Sequence, residues 1–362
     1  MTKRQRYLAA LRNEAVDAMV WAPNFDYWLG VNRAEGTVPK QYEGMSRNEI
    51  VRAIGATLWN RSGGLRTVRD PSVVETWSQC DATSVHEFQT PVGAIREVYL
   101  PTEGAYRSRF LAEHFAKGLD DLRVLTYIAE ATRYEPDFEP VHQALAETGD
   151  DGVVLSGIFL VPFLQFAKTD AGYATAFYLL QDHPREVERL LEAYTDSFLA
   201  GIRIAAQGPA DILHTGDNMD GRTLSPRLFL RYAVPFYQAA APIIHEAGKL
   251  FEGHWCGQTQ ALLPLVPGCG LDVVEAIVTA PMADVSLSEA LHMLDGKVVL
   301  QGGIPSVLVC EEGGTRDDFL RYMNEVILPL RGRRGFILGM SDNVPPNADF
   351  WRAEQVACQL KV

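Results

Sequence analysis

One pattern recurs along this 362-residue chain and limits the folds open to it. A short apolar run is followed by a loop rich in Gly, Asp, Pro or Asn, and then by a longer stretch with helical spacing. The runs predicted as strands are Val16–Trp21, Gly152–Leu160, Asp211–Thr215, Lys249–Gly253, Val273–Ala276, Val298–Gly302 and Phe336–Gly339. Strands that alternate with helices form parallel βαβ units. No G-x-G-x-x-G fingerprint follows an early strand, which favours a closed barrel over a doubly wound sheet.

We therefore expect an α/β chain with one domain over residues 1–362, a single (β/α)8 TIM barrel. Helical patterns cover Pro184–Ala206, Ser225–Gly248 and Thr315–Leu330. Ser225 and Thr315 are typical N-cap residues, and Gly248 can end a helix.

The region from about residue 60 to 120 is less regular and predicts an N-terminal elaboration of the barrel. Thr67–Arg69, His86–Thr90 and Ala94–Leu100 have the pattern of short antiparallel strands. The residues between the last two, Thr90-Pro-Val-Gly93, are typical of a turn.

Charge and cysteine content exclude several kinds of partner. The net charge is -13 and no basic run accompanies an aromatic stripe, so we expect no nucleic-acid partner. No apolar run reaches the roughly 18 residues of a membrane span, and the start of the chain has no apolar signal core. Five cysteines without paired spacing indicate a reducing, cytoplasmic location rather than a disulfide framework. An oligomer is possible.

The segment His254-Trp-Cys256 is the strongest candidate for chemistry. At an extended strand end, residues i and i+2 point to one side, so the imidazole and the thiolate can converge on one ion. Zinc favours such a mixture of nitrogen and sulfur ligands. The alternative is a buried cysteine beside a core histidine. Because active sites of barrels lie at the carboxyl ends of the strands, we expect a zinc half-site at the barrel mouth.

Three further residues could complete the metal site. Glu275 ends the next apolar strand and reaches the same rim, where it could also act in catalysis. Cys310 follows the exit Gly302-Gly-Ile-Pro305, and Asp342 lies in the last strand exit. Cys310 is the softer donor and Asp342 the better placed. A solvated charge at a strand end is the alternative for Glu275.

A second polar cluster follows the strand that ends at Thr215. His214, Asp217 and Asn218 crowd this loop, and we expect Asp217 to be catalytic and the other two to bind substrate. An Asx-rich turn is the alternative.

The aromatic exit of the first strand supplies three more candidate substrate-binding residues. Asn24, Asp26 and Trp28 could line an apolar pocket, with plain core packing as the alternative. Isolated histidines, among them His86, are expected at the surface or in helix caps.

Several of these segments together resemble the uroporphyrinogen decarboxylase superfamily. The similar segments are Asp211–Asp217, Leu224–Phe229, Val234–Tyr237, His245–Lys249, Gly253–Gly257, Gly302–Pro305 and Ile337–Pro346. The resemblance covers nearly the whole chain, most strongly residues 205–350, and implies a (β/α)8 barrel.

The superfamily contains two branches. The true decarboxylases have an arginine-rich N-terminal motif that grips porphyrinogen carboxylates, and the matching stretch here, Val20–Asp26, has no arginine. The other branch, cobamide-dependent methyltransferases, binds zinc through H-x-C and a later cysteine, and some members add a carboxylate where this chain has Glu275. The resemblance therefore favours the methyltransferases. In place of the later cysteine this chain has Asp342, so either Asp342 or Cys310 would be the third ligand, or the site has none.

The expected function is zinc-dependent methyl transfer between a small methylated substrate, such as a methoxy compound, and a corrinoid or thiol acceptor. A corrinoid, free or on a partner protein, would be the co-substrate. Zinc would activate a thiol, or polarise a methoxy or amine leaving group that Asp217 protonates. Two alternatives remain: a metal-independent carboxy-lyase that uses Asp217 as the acid, and a non-catalytic subunit that binds a corrinoid or another small molecule.

Overall fold

A curled sheet of seven parallel strands forms the centre of the protein, in a computed structural model that describes residues 1–102 and 109–361. The strands are β1 Leu58–Ser62, β2 Leu65–Arg69, β3 Val74–Cys80, β4 Thr83–Thr90, β5 Gly93–Pro101, β6 Arg109–Glu113, β7 Thr132–Pro136, β8 Gly152–Gly157, β9 Ile212–Thr215, β10 Leu250–His254, β11 Val273–Ile277, β12 Val299–Ile304 and β13 Phe336–Met340. The central sheet has the order β1-β8-β9-β10-β11-β12-β13. The α/β class with a parallel sheet is thereby confirmed.

Helices separate most of the central strands, as βαβ connections require. The α-helices are α1 Lys3–Leu11, α2 Asp26–Glu35, α3 Arg47–Ala53, α4 Leu119–Glu130, α5 Glu139–Thr148, α6 Pro162–Leu164, α7 Tyr173–Asp182, α8 Pro184–Ala205, α9 Pro226–Leu228, α10 Val234–Glu246, α11 Leu287–Met293, α12 Arg316–Tyr322 and α13 Phe350–Lys361. Three π-helical turns, Gln165–Asp170, Phe229–Ala233 and Met323–Ile327, continue α6, α9 and α12. Short 3-10 helices are Lys40–Tyr42, Gly149–Asp151, Leu263–Gly268, Ser306–Val309, Glu311–Gly313 and Leu328–Leu330.

The sequence predicted the long helices well. The helix predicted over Pro184–Ala206 is α8, which ends at Ala205. Thr315 caps α12, because its side chain accepts a hydrogen bond from the backbone nitrogen of Asp318. Gly248 has φ +72°, the left-handed conformation that ends a helix at glycine. Ser225 precedes α9 but makes no side-chain cap hydrogen bond.

The first predicted strand, Val16–Trp21, is wrong over most of its length. Only Trp21 forms a bridge, with Leu338 of β13. The backbone of residues 20–22 nevertheless contacts both edges of the curled sheet. Ala22 donates to Leu338 (2.9 Å), whose own nitrogen donates to Val20 (3.0 Å), and the nitrogen of Thr57, just before β1, donates to Trp21 (2.7 Å).

The elaboration expected over residues 60–120 contains the three predicted antiparallel strands and two further strands, β3 and β6. The strands expected at 67–69, 86–90 and 94–100 are β2, β4 and β5, and the turn at 90–93 joins β4 to β5. Strands β3 and β6 extend this sheet to the order β3-β4-β5-β6, and β2 pairs with β7. Residues 103–108 of the region lie outside the described residues. Strand β1 was not predicted, and it belongs to the central parallel sheet rather than to the elaboration.

Apolar side chains fill the amino-terminal end of the curled sheet. Tyr7 and Leu11 of α1 pack there against Ile212, Val273 and Ile337 from three of the strands. With that end covered, the carboxyl-terminal end is the one open to polar side chains, as it is in parallel α/β barrels.

Among the described residues, no helix combines the length and the apolar character needed to cross a membrane.

Candidate metal centre

His254, Cys256 and Asp342 come together at the carboxyl-terminal end of the sheet. His254 is the last residue of β10, Cys256 lies two residues further on, and Asp342 follows β13. In the described part of the chain, these are the His, Cys, Asp or Glu side chains that form a possible metal-binding group, with ligand atoms all within 4.8 Å of one another. One nitrogen, one sulfur and one oxygen suit zinc, and three protein ligands leave a position open, as in catalytic zinc sites.

Glu275 lies behind the imidazole of His254 and outside the group of three. Its Oε2 is 2.6 Å from His254 Nδ1, and both side chains are buried. Nε2 of the same ring faces Asp342 Oδ1 at 3.7 Å. Glu275 therefore holds the imidazole of His254 in one orientation, as carboxylates do beside metal-bound histidines. We had expected it among the ligands.

Electrostatics reinforce this contact. Burial opposes the charged imidazole, but Glu275 and Cys256 outweigh it and raise the pKa of His254 to about 10. Burial likewise opposes the charged form of Glu275, yet the attraction of His254 lowers its pKa below the usual value. Burial raises the pKa of Asp342. Near neutral pH the ring of His254 therefore carries a hydrogen on both nitrogens, and a metal that binds Nε2 would displace the proton there while Nδ1 keeps its hydrogen bond to Glu275.

Cys310, the other candidate for the third ligand, lies elsewhere. Its Sγ is 3.5 Å from Asn347 Oδ1 and 3.7 Å from the carbonyl oxygen of Ser306, and burial raises its pKa. Of the two candidates, Asp342 is the one that the structure brings to His254 and Cys256.

A second histidine–carboxylate pair lies next to the first in the interior of the sheet. His214 Nδ1 is 2.9 Å from Glu252 Oε1, and the rings of His214 and His254 are 6.2 Å apart. Both residues of this pair are buried, and burial raises the pKa of Glu252, whose Oε2 has no hydrogen-bond partner. The interior below the candidate metal centre is therefore polar, although we had expected His214 to bind substrate directly.

The carboxylate of Asp217 is fully enclosed by hydrogen-bond donors. It accepts from the backbone nitrogen of Val161 (2.8 Å), from the hydroxyl of Tyr237 (2.6 Å) and from the hydroxyl of Thr215. Burial raises its pKa, although these donors counteract the effect. Asp217 thus ties three segments of the rim together, a role that the sequence did not indicate.

Asn218 is in the left-handed conformation, with φ 51°. Its side-chain amide fits between Gly216 and Lys168, with the amide oxygen 3.2 Å from Lys168 Nζ. Lys168 lies in the π-helical turn Gln165–Asp170. Burial lowers the pKa of this lysine, and its charge interacts with Asp217 and Cys256.

The N-terminal candidates have mainly structural contacts. Asn24 Oδ1 accepts a hydrogen bond from the nitrogen of Asp26 (3.1 Å), and the exposed carboxylate of Asp26 is 3.0 Å from Arg47 Nε. Trp28 is buried and stacks on Phe350, with ring centroids 4.3 Å apart. Core packing, the alternative considered from the sequence, describes Trp28.

Two basic residues near the centre were missed from the sequence. Arg61 of β1 has a side chain that is 40% exposed, stacks over Trp59, and lies 4.0 Å from Glu275 Oε2. Lys168 is the other. Recognising Leu58-Trp-Asn-Arg61 as a strand of the central sheet would have placed Arg61 near the carboxyl-terminal end of that sheet. A cavity of 570 Å³ between α8 and α10 shares no lining residue with this site.

Comparison with known proteins adds a family and a fold. The family model described as Uroporphyrinogen decarboxylase (URO-D) matches residues 112–358. The structure is similar to that of a methyltransferase from Methanosarcina mazei, with a TM-score of 0.62 and 14% identity over 100% of this chain and 98% of the other. D-psicose 3-epimerase from Clostridium cellulolyticum H10, solved with D-tagatose, matches more weakly: TM-score 0.35, 11% identity, 62% of this chain and 82% of that one. A search of curated proteins gave no match.

Proposed function

The chain belongs to the uroporphyrinogen decarboxylase family, and on that premise we propose that it is a zinc-dependent methyltransferase. It would move a methyl group between a small methylated substrate and a corrinoid or thiol acceptor. The observation that supports this proposal best is the group His254, Cys256 and Asp342, whose nitrogen, sulfur and oxygen atoms are within 4.8 Å of one another. The overall similarity to a methyltransferase from M. mazei agrees with it at the level of fold.

Zinc held by these three residues would act as a Lewis acid, either lowering the pKa of a bound thiol or polarising a methoxy or amine leaving group. The residues around it have separate tasks. Glu275 fixes the orientation of His254 through Nδ1. Lys168 and Arg61 bring positive charge to the same end of the sheet, where they can hold an anionic part of a substrate.

Asp217 is proposed as a positioning residue. Its oxygens already accept three hydrogen bonds, so the carboxylate is held in place by its own protein contacts. Because Tyr237 and Thr215 hold Asp217 in place, its charge in turn stabilises the ammonium of Lys168. Lys168 is then better placed than Asp217 to supply a proton to a leaving group.

A metal-independent carboxy-lyase of the same family is the second candidate. Arg61 and Lys168 favour it, because two basic side chains close to buried carboxyl groups could grip a carboxylate substrate. We also propose that residues 1–362 form one domain in which the segment 20–22 closes the curled sheet into an eight-stranded barrel. The hydrogen bonds of this segment to both sheet edges support that arrangement.

Methyl transfer to free cob(I)alamin tests the two candidates against each other. The purified protein with one equivalent of zinc is incubated with methoxylated, methylated-amine and methylthiol donors, and methylcobalamin is followed by absorbance. We expect transfer from at least one donor and its loss on chelation. Decarboxylation of a cyclic carboxylate that survives chelation, with no transfer, would favour the lyase.

A further inference from the structure

A second cavity lies between the antiparallel sheet β3–β6, the helices α4 and α8, and the π-helical turn Gln165–Asp170. Its volume is about 370 Å³, within the range of small-molecule pockets. None of its lining residues belongs to the group of three or to the loop of Asp217. The cavity is therefore separate from the candidate metal centre, and the proposed methyl transfer does not use it.

Aromatic rings form much of the wall of this cavity. Phe159 and Phe198 are stacked with centroids 4.6 Å apart, and Tyr194 stacks on Phe198 at 5.2 Å. Phe88 and Phe115 form a further pair at 5.4 Å. Such a wall suits a flat apolar body, and the faces of the rings attract cations.

Glu97 supplies a buried carboxylate to the same wall. The residue is 4% exposed, and its Oε1 lies 2.9 Å from both His86 Nδ1 and the hydroxyl of Tyr99. Its Oε2 is buried without a hydrogen-bond partner. Leaving a buried charged oxygen unpaired costs free energy, so this atom is suited to a donor that the chain itself does not provide.

The neighbouring charged groups are already engaged. Arg69 is paired with Glu75 and stacks on Phe88, although its Nε has no acceptor. His86 Nε2 lies 2.8 Å from Glu75 Oε1.

Asp170 is the remaining carboxyl group on the wall. It accepts hydrogen bonds from Gln165 (2.9 Å) and Tyr194 (2.7 Å). Ser197 adds a hydroxyl to the wall. The unmatched negative oxygen is therefore that of Glu97, and its natural counterpart is a positively charged N–H group.

We propose that this cavity is a second ligand site, which binds a small organic ammonium ion with an aromatic or apolar body. The carboxylate of Glu97 turns so that Oε2, which is covered in the empty cavity, accepts from the ammonium group, and the body packs on the rings of Phe159 and Phe198. Isolated histidines had been expected at the surface or in helix caps, but His86 is buried, and its contact with Glu97 helps to orient that carboxylate.

One segment is common to this cavity and the candidate metal centre. Gln165 and Asp170 line the cavity, whereas Lys168, between them in the same π-helical turn, interacts with Cys256 and Asp217. Single π-helical turns often occur at functional sites. An ammonium ligand is thus bound next to the segment that positions Lys168.

The test uses 2-phenylethylammonium as the probe and isothermal titration calorimetry on the full chain. Phenylacetate, an aryl ligand of similar size but opposite charge, is the matched ligand. We expect 1:1 binding of the ammonium ion and binding of phenylacetate that is at least about tenfold weaker, because the unpaired group is a carboxylate. Equal binding of the two ligands, or no binding of the ammonium ion, would overturn the proposal.

Variants locate the bound probe. Glu97→Gln should weaken binding by at least about tenfold, whereas Glu113→Gln, a half-exposed carboxylate of the same sheet, should leave it unchanged. Ser197→Leu adds bulk to the wall of the cavity and should abolish binding. Cys256→Ser should leave it intact, which separates this proposal from the metal centre. Binding that survives both Glu97→Gln and Ser197→Leu, or is lost in Cys256→Ser, contradicts the assignment.

Discussion

His254 and Glu275 are register partners on adjacent parallel strands, and Glu275 Oε2 lies 2.6 Å from His254 Nδ1. On the other side of β10, Glu252 is the register partner of His214, and these two are also in contact. Side chains of paired residues on one face of a sheet are neighbours, so register alone brings each carboxylate to its histidine. Two interleaved pairs on three strands thus make the base of the candidate metal centre.

Glu275→Gln should weaken zinc binding by between about tenfold and a hundredfold, the range for partners of metal-bound histidines. The amide still contacts Nδ1 but no longer polarises the ring. Competition with a chromophoric chelator measures the affinity. Glu252→Gln is the control, since Glu252 contacts His214 instead. An equal loss of affinity in both variants would contradict the specific role of Glu275.

Asp342→Cys should bind zinc at least about tenfold more tightly than the wild type, because a second thiolate is a softer ligand than a carboxylate. Asp342→Ala should bind it more weakly. The same competition assay orders the three proteins. Unchanged affinity in Asp342→Ala would remove Asp342 from the ligand set.

Asp217→Asn should reduce the free energy of unfolding by about 1–3 kcal/mol, since an amide nitrogen would face buried donors. Tyr237→Phe removes one of those donors. Urea unfolding of both single variants and the double variant gives their coupling energy. Because the two groups share one hydrogen bond, we expect the double variant to lose less unfolding free energy than the two single variants lose together. Simple additivity would mean that the contact does not stabilise the fold.

Asp170 should make stability depend on pH. Burial raises its pKa to about 7, against an ordinary value of 3.8. At a pH below both pKa values, Asp170 is protonated in the folded and in the unfolded chain. As the pH rises between them, the unfolded chain releases its proton first, so the folded state loses stability, by at most about 1.4 kcal/mol per pH unit. Above about pH 7 the loss is complete.

Asp170→Asn does not titrate and is the matched reference. Urea unfolding of both proteins from pH 4.5 to 8 should show the stability of the wild type falling relative to the variant as the pH rises towards 7. A constant difference across that range would show that Asp170 has an ordinary pKa in the fold.

Much of the architecture could be predicted from the sequence because βαβ units have a strong local signature. The parallel strands from residue 152 onwards and the long helix α8 follow from apolar runs and helix-end residues. Strand β1 was missed because Arg61 and Asn60 interrupt its apolar pattern. The first strand was predicted too long because residues 16–19 have no paired neighbour strand, whereas the backbone of residues 20–22 contacts the edges of the sheet.

The candidate site could be predicted only in part. His254 and Cys256 lie two residues apart, so local geometry indicates that they converge, and Asp342 follows from its place after the last strand. Whether Glu275 binds the metal or the histidine depends on register and on side-chain direction, which no local pattern specifies. The positions of Lys168 and Cys310 depend on tertiary packing of loops and of a π-helical turn.

Metal content of the purified protein tests the central claim most directly. After equilibration with zinc and gel filtration, elemental analysis should find about one zinc per chain in the wild type and in Cys310→Ser, but almost none in His254→Ala or Cys256→Ser. The two cysteine variants are matched in chemistry and differ only in place. A wild-type protein that retains no zinc, or a Cys256→Ser variant that retains as much as Cys310→Ser, would contradict the account.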